Sequence, residues 1–234
     1  MNACFSAKKD RRCATGWKLS SEIGRGGYGH VSDVCCEQNC QYVAKIQRLS
    51  RVSVNEAHYL QKCRGICPEV VDSWFCQTDE IQHVLILPKL KTTLNGALTN
   101  LSNELQRELI HKTIELVQQF HQLGFSHGDL KSDNIMIDYD IRDDLTTYRL
   151  YLIDFGYTSL LHLNPVAAYL DFKMLRNDLR RQKHFELSEE IVVPKPPQLS
   201  DDELDRLDGE LLEYQDEMNK LYKETKKTVA TSLR

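Results

Sequence analysis

The 234-residue sequence has no apolar run approaching the ~18–20 residues that a helix needs to cross a bilayer. No apolar stretch follows the charged start MNACFSAKKDRRC, so it does not read as a secretory signal. Asn2, not glycine, follows Met1, which removes the N-myristoylation motif. Cysteine is missing beyond Cys76, and all eight cysteines precede or occupy that position. There is no basic excess. The net charge is −4, and residues 198–234, with 6 basic and 10 acidic residues, carry all of it. The overall charge therefore gives no indication of nucleic-acid binding. No internal repeat is present, which excludes solenoid and propeller arrays.

What remains is ordinary for a soluble globular chain: 41% hydrophobic and 27% charged residues. The chain is long enough to bury a core without metal or disulfide staples. With no secretory signal, the cysteines are expected to be reduced thiols serving as small hydrophobes. Cys36/Cys40 and Cys63/Cys67 can also be read as zinc pairs, but the spacing is CxxxC and His83 is the only nearby histidine of interest.

Residues 1–16 are polar and basic, without period, and read as an arm. A strand is expected from Trp17 to the glycine turn, and two more over 30–36 and 41–47, around the turn Glu37-Gln38-Asn39. A helix is expected over 53–63, then strands over 70–77 and 82–87. The first 90 residues thus read as a five-stranded antiparallel sheet with one helix. Leu105, Leu109, Ile110, Ile114, Val117 and Phe120 recur at three- and four-residue steps, giving a helix over 103–123 that Gly124 stops. Short strands follow at 135–137 and 148–153, and a helix over 166–185. Val193-Pro194-Lys195-Pro196-Pro197 is a stiff linker, and Ser200-Asp201-Asp202-Glu203 fits a capping box. In the tail, Leu204, Leu207, Leu211, Tyr214, Met218 and Leu221 form a short a/d seam. It suits either a helical partner across residues 200–222 or packing back on its own chain.

The chemistry begins at Ile23-Gly24-Arg25-Gly26-Gly27-Tyr28-Gly29-His30-Val31. Glycines let backbone approach phosphates, and Val31 would cover an adenine ring. A β-branched segment follows, so this is a hairpin and not a dinucleotide turn. Val43-Ala44-Lys45 places a lysine on the next strand, within reach of phosphates if an acid holds it, and Glu56 is the candidate. The strongest signal is Ser126-His127-Gly128-Asp129-Leu130-Lys131-Ser132-Asp133-Asn134, followed by Ile153-Asp154-Phe155-Gly156. One carboxylate can orient the proton of an attacking hydroxyl, and an asparagine with a second carboxylate can hold Mg²⁺. Lys131 can neutralise charge on the transferred group.

Over roughly 17–185 these motifs resemble the protein kinase-like superfamily. The HGD triplet is similar to that of the small KEOPS-complex kinase, RIO kinases, aminoglycoside phosphotransferases and kinases of large DNA viruses. The resemblance implies an α+β bilobal fold, with a basic arm over 1–16 and an N-lobe over 17–90. A truncated, mostly helical C-lobe spans 91–197, and an amphipathic helix spans 198–234. ATP would lie in the cleft. Catalysis falls to Asp129 and Lys131. Nucleotide binding falls to Ile23, Gly24, Gly26, Gly27, Tyr28, Gly29, Val31, Ala44, Lys45, Glu56, the gatekeeper Leu87, and the hinge residues Pro88 and Leu90. Asn134 and Asp154 would hold Mg²⁺.

Gly128 replaces the arginine that pairs with a phosphorylated activation loop, and no A-P-E motif follows. Asp171 reads either as a brace of the catalytic loop or as an exposed helix acid. The expected activity is ATP- and Mg²⁺-dependent phosphoryl transfer to a serine or threonine hydroxyl of a protein, in the cytoplasm with the nucleus left open. A KEOPS-subunit-like ATPase or kinase, a small-molecule kinase and a non-catalytic scaffold are the alternatives. The complete set Lys45, Glu56, Asp129, Asn134 and Asp154 counts against the scaffold.

Overall fold

The computed structural model describes Cys13, residues 16–142 and residues 145–232, with the backbone alone at 140–142 and 145–147. Apart from Cys13 and Gly16, the expected arm over 1–16 lies outside the described residues. The chain divides into two compact units, one of residues 1–61, 68–89 and 217–234, the other of 62–67 and 90–216.

The first unit contains β1 (Trp17–Gly26), β2 (Gly29–Cys36), β3 (Asn39–Arg48), α1 (Arg51–Lys62), β4 (Asp72–Gln77) and β5 (Ile81–Pro88). The strands form one antiparallel sheet in the order β1-β2-β3-β5-β4. Because side chains alternate across a strand, the sheet has two distinct faces. One carries Val34, Ala44, Ile46, Val84 and Ile86, packed with Trp17, Trp74, Cys13 and Cys76. The other carries Lys45 and Gln47, which bond Glu56 of α1.

The cysteines correct the expectation of thiols. Cys13 is bonded to Cys36, Cys35 to Cys40, and Cys76 is also in a disulfide. Cys35 and Cys40 flank the β2–β3 turn, while Cys36 reaches back to Cys13, which lies in the apolar cluster with Trp17. Among the described cysteines, Cys63 and Cys67 are the two outside a disulfide, and burial pushes their thiols up to about 11 and about 12. They stay protonated, and among the described residues no His, Cys, Asp and Glu cluster suits a metal ion.

The second unit contains β6 (Thr92–Thr93), α2 (Leu94–Leu98), α3 (Asn103–Gln122), β7 (Phe125–Ser126), β8 (Ile135–Arg142), β9 (Leu145–Leu152), β10 (Ser159–Leu160), α4 (Ala167–Arg181) and α5 (Phe185–Glu190). Ser102 caps α3, its hydroxyl accepting from the Leu105 N–H. Leu109, Ile110, Leu116, Val117 and Phe120 form the buried stripe of α3, and Phe120 packs against Phe125, His127 and Phe155. This anchors the loop before β8 and the turn after β9 to one rigid helix. Finally α6 (Asp201–Ser232) runs through the tail. Its capping box is formed: Glu203 accepts from the Ser200 N–H at 2.8 Å, and the Ser200 hydroxyl accepts from the Glu203 N–H at 3.4 Å. No helix among the described residues is long and apolar enough to cross a membrane.

Candidate active site

In the first unit, β1 and β2 meet at Gly26 opposite Gly29, with Gly27 and Tyr28 at the turn. A Cβ at Gly24, Gly26 or Gly27 would meet nothing within 4 Å, so the backbone there is open to a close-approaching group. Gly29 has a different duty. A Cβ there would lie 2.1 Å from the Ile46 carbonyl oxygen, so this glycine lets β2 approach β3. Ile23 and Tyr28 are exposed, and Val31 stands opposite Lys45.

The Lys45 ammonium donates to Glu56 Oε1 at 2.6 Å, and the Gln47 amide donates to Oε2 of the same carboxylate. Glu56 is 1% exposed. An acid this deep needs partners on both oxygens, and it has them. The lysine and the acid assigned to it from sequence are therefore brought together.

Ala44 is not brought to them. It is fully buried in the cluster on the opposite face, beside Trp17 and Ile46. Its reading as a nucleotide contact is corrected, because neighbours on a strand point to opposite faces. Val43 has the parity of Lys45 and stands opposite Leu87 on β5. The period-two rule applied to Val43-Ala44-Lys45 would have selected it. Leu87 is buried, Pro88 ends β5, and Leu90 belongs to the second unit.

In the second unit, Asp129 is the centre. Its Oδ2 accepts from the Lys131 ammonium at 2.8 Å and from the Asn134 amide at 3.0 Å. The same amide donates to the Asp129 carbonyl at 2.8 Å. The loop holding these residues is fixed from beneath by α4. Asp171, fully buried, accepts from the His127 N–H at 2.8 Å, the Gly128 N–H at 2.9 Å and His121 Nε2 at 2.9 Å. Asp171 is thus the brace and not an exposed helix acid.

Asp178, which the sequence reading missed, accepts from both the N–H and the hydroxyl of Ser132. Seven residues from Asp171, it lies two turns along the same helix face. A pair of acids at that spacing in an otherwise apolar stripe was the available signal.

His127 Nε2 donates to the Ile153 carbonyl at 2.9 Å. Burial holds this imidazole below its ordinary value, which favours the neutral form, and its bond ties the loop that carries Asp129 to the strand before Asp154. Asp154 itself adopts a left-handed conformation, φ 68 and ψ 62. Such backbone is costly for a residue with a Cβ and persists only where its surroundings impose it.

Gly128 also has positive φ, +76, and a Cβ there would lie 2.4 Å from the Tyr157 carbonyl oxygen. The absence of arginine at this position is therefore a backbone requirement, not simply a lost side chain.

The protein kinase domain family model matches residues 17–173. The chain is 25% identical over 173 residues to the B1 kinase of vaccinia virus (strain Western Reserve), covering 63% of this chain and 54% of that protein. It is 27% identical over 173 residues to the B1 kinase of monkeypox virus, covering 63% and 53%. Against the serine/threonine-protein kinase CBK1 of Yarrowia lipolytica it is 27% identical over 158 residues, covering 63% and 26%. The chain spans about half the length of the B1 kinases it matches. The lysine–glutamate pair and the braced aspartate fall within the matched span, and with that span covering well over half of the sequence the chain belongs to the protein kinase domain family.

Proposed function

We propose that this chain is an ATP- and Mg²⁺-dependent serine/threonine protein kinase. The observation that carries the reading is the Asp129 carboxylate, whose Oδ2 is committed to Lys131 and Asn134. That leaves Oδ1 to receive the proton of an attacking hydroxyl. Lys131 is hydrogen-bonded to Asp129 and is placed to offset charge on the transferred phosphoryl group. Its presence two residues after the aspartate also favours a serine or threonine acceptor, as in the resembled family.

The donor chemistry fits a hard cation. The Asn134 amide nitrogen is used twice by Asp129, so the atom it offers outward is its carbonyl oxygen, and Asp154 adds a carboxylate. Mg²⁺, when bound, would neutralise phosphate charge. Lys45, aimed by Glu56, would hold phosphate oxygens, and the open glycines would let backbone N–H groups approach them.

Two substitutions test this. Asp129→Asn is expected to retain Mg-ATP binding, read as a thermal shift, while turnover falls by roughly 10²-fold or more, as loss of a positioned base would cause. Asp154→Ala is expected to abolish the Mg²⁺-dependent shift. Transfer to a generic protein acceptor, with the phosphorylated residue identified after hydrolysis, checks the substrate class. Wild-type turnover in Asp129→Asn, or transfer to aminoglycosides alone, would defeat the proposal.

A further inference from the structure

Glu56 has a second holder that none of the sequence motifs singles out. Gln47 lies two residues beyond Lys45 on β3, hence on the same face, and is 2% exposed. Its amide nitrogen donates to Glu56 Oε2 while Lys45 donates to Oε1. Across the sheet Gln47 stands opposite His83 of β5, which is also buried. His83 stacks on Phe75 at 4.4 Å and donates to the Ser53 backbone carbonyl of α1. Two strands therefore hold α1 by polar links, Lys45 and Gln47 from β3 and His83 from β5. The opposite neighbour of Gln47 on β2 is Gly29, which contributes no side chain.

We propose that Gln47 is a positioning residue for phosphoryl transfer: by donating to Glu56 it fixes the carboxylate that aims Lys45, independently of any modification of the chain. This rests on the kinase reading given above. An exposed lysine–glutamate pair can exchange partners with water, whereas a carboxylate held on both oxygens in a buried site has one orientation. Removing Gln47's donor leaves Oε2 buried and unpartnered, which favours rearrangement of α1.

The test uses Gln47→Met, which keeps length without a donor, and Gln47→Glu. In the second variant the introduced carboxyl faces Glu56, Lys45 and His83. When protonated it donates to Glu56 as the amide did. When ionised it repels Glu56, so the pair shares one proton and its upper apparent pKa rises. His83, held down to about 4, stays neutral above that range.

For Gln47→Glu, kcat/KM is expected to be near wild type at the acid end of the profile and to fall at least about tenfold as pH rises through neutrality. Gln47→Met is expected to lose a similar factor at every pH. A nucleotide-free readout runs in parallel: acylation of the Lys45 amine by a lysine-directed ester, mapped by mass spectrometry. This is expected to rise severalfold in Gln47→Met.

If wild type shows no transfer but the acylation rate rises in Gln47→Met, the kinase reading fails, while the hold of Gln47 on the Glu56–Lys45 pair is upheld. If both variants keep the wild-type profile and acylation rate, the role of Gln47 is overturned. Should Gln47→Glu fail to fold at neutral pH, the acylation rate and kcat/KM of Gln47→Met decide.

Discussion

At the scale of single residues, Gly128 shows how a motif position can be set by backbone and not by chemistry. The residue has φ +76, and its N–H is one of the two that Asp171 receives from the loop. Any side chain would add left-handed strain and a contact with the Tyr157 carbonyl at 2.4 Å. Gly128→Ala is expected to destabilise the protein by about 1–3 kcal/mol. It should also reduce kcat, since Asp129 is the next residue and moves with any shift of the loop. Gly128→Arg, which restores the residue found in most kinases, should be no better. Urea unfolding and initial rates check this. An alanine variant with wild-type midpoint and rate would show that the loop relaxes freely.

At the scale of elements, what the sequence revealed and concealed follows from the range of the forces involved. The long helix was legible because its apolar period is local, and 103–123 differs from Asn103–Gln122 only at the last residue. The strands around Glu37-Gln38-Asn39 were legible from alternation and turn chemistry, but β2 and β3 extend further, because pairing continues past the alternating residues. The expected helix over 166–185 corresponds to α4, which stops at Arg181 before Lys183 at positive φ, and α5, beginning at Phe185, was not expected. The two-residue β6 and the five-residue α2 left no periodic trace. The disulfides were not legible, since nothing local in Cys13 signals that it lies 5.5 Å, Cα to Cα, from Cys36.

The tether of α1 was hidden in the same way. His83 reads as one residue of a strand and acquires its role only from Ser53 and Phe75. Burial pushes His83 down to about 4 from 6.5. Above pH ~6.5 the imidazole is neutral folded or unfolded. Between about 6.5 and 4 only the unfolded chain takes up the proton, so stability falls with acid and levels off below about 4. The full shift corresponds to at most about 3.5 kcal/mol. In His83→Phe this part of the acid sensitivity should vanish, although the variant forfeits the Ser53 bond at pH 7. Unfolding free energies at pH 7 and 4 for both proteins decide it. Equal losses on acidification would mean that His83 does not carry the dependence.

At the scale of the whole molecule, α6 is divided between the two units, its residues up to Asp216 falling in the second and those from Glu217 in the first. Leu207 and Val229 are 6% and 4% exposed, and Leu211, Tyr214, Met218 and Tyr222 are half-buried between them. With Thr225, also half-buried, these residues follow three- and four-residue steps and make one face, which the chain itself covers. Leu212, at 62% exposure, lies on another face. The expected seam is thus only partly used. Leu207, Leu211, Tyr214 and Met218 turn inward, whereas Leu204 and Leu221 are exposed.

The two faces should answer differently to charge. Leu207→Asp or Val229→Asp buries an unpaired carboxylate in place of apolar contact and is expected to cost about 2–4 kcal/mol. Leu212→Asp should change stability by no more than about 0.5 kcal/mol. Denaturant midpoints of the isolated chain measure all three. If Leu207→Asp and Val229→Asp unfold with the wild-type midpoint, α6 does not contribute to holding the chain together. If Leu212→Asp instead produces the large loss, the covered face of this helix is the other one.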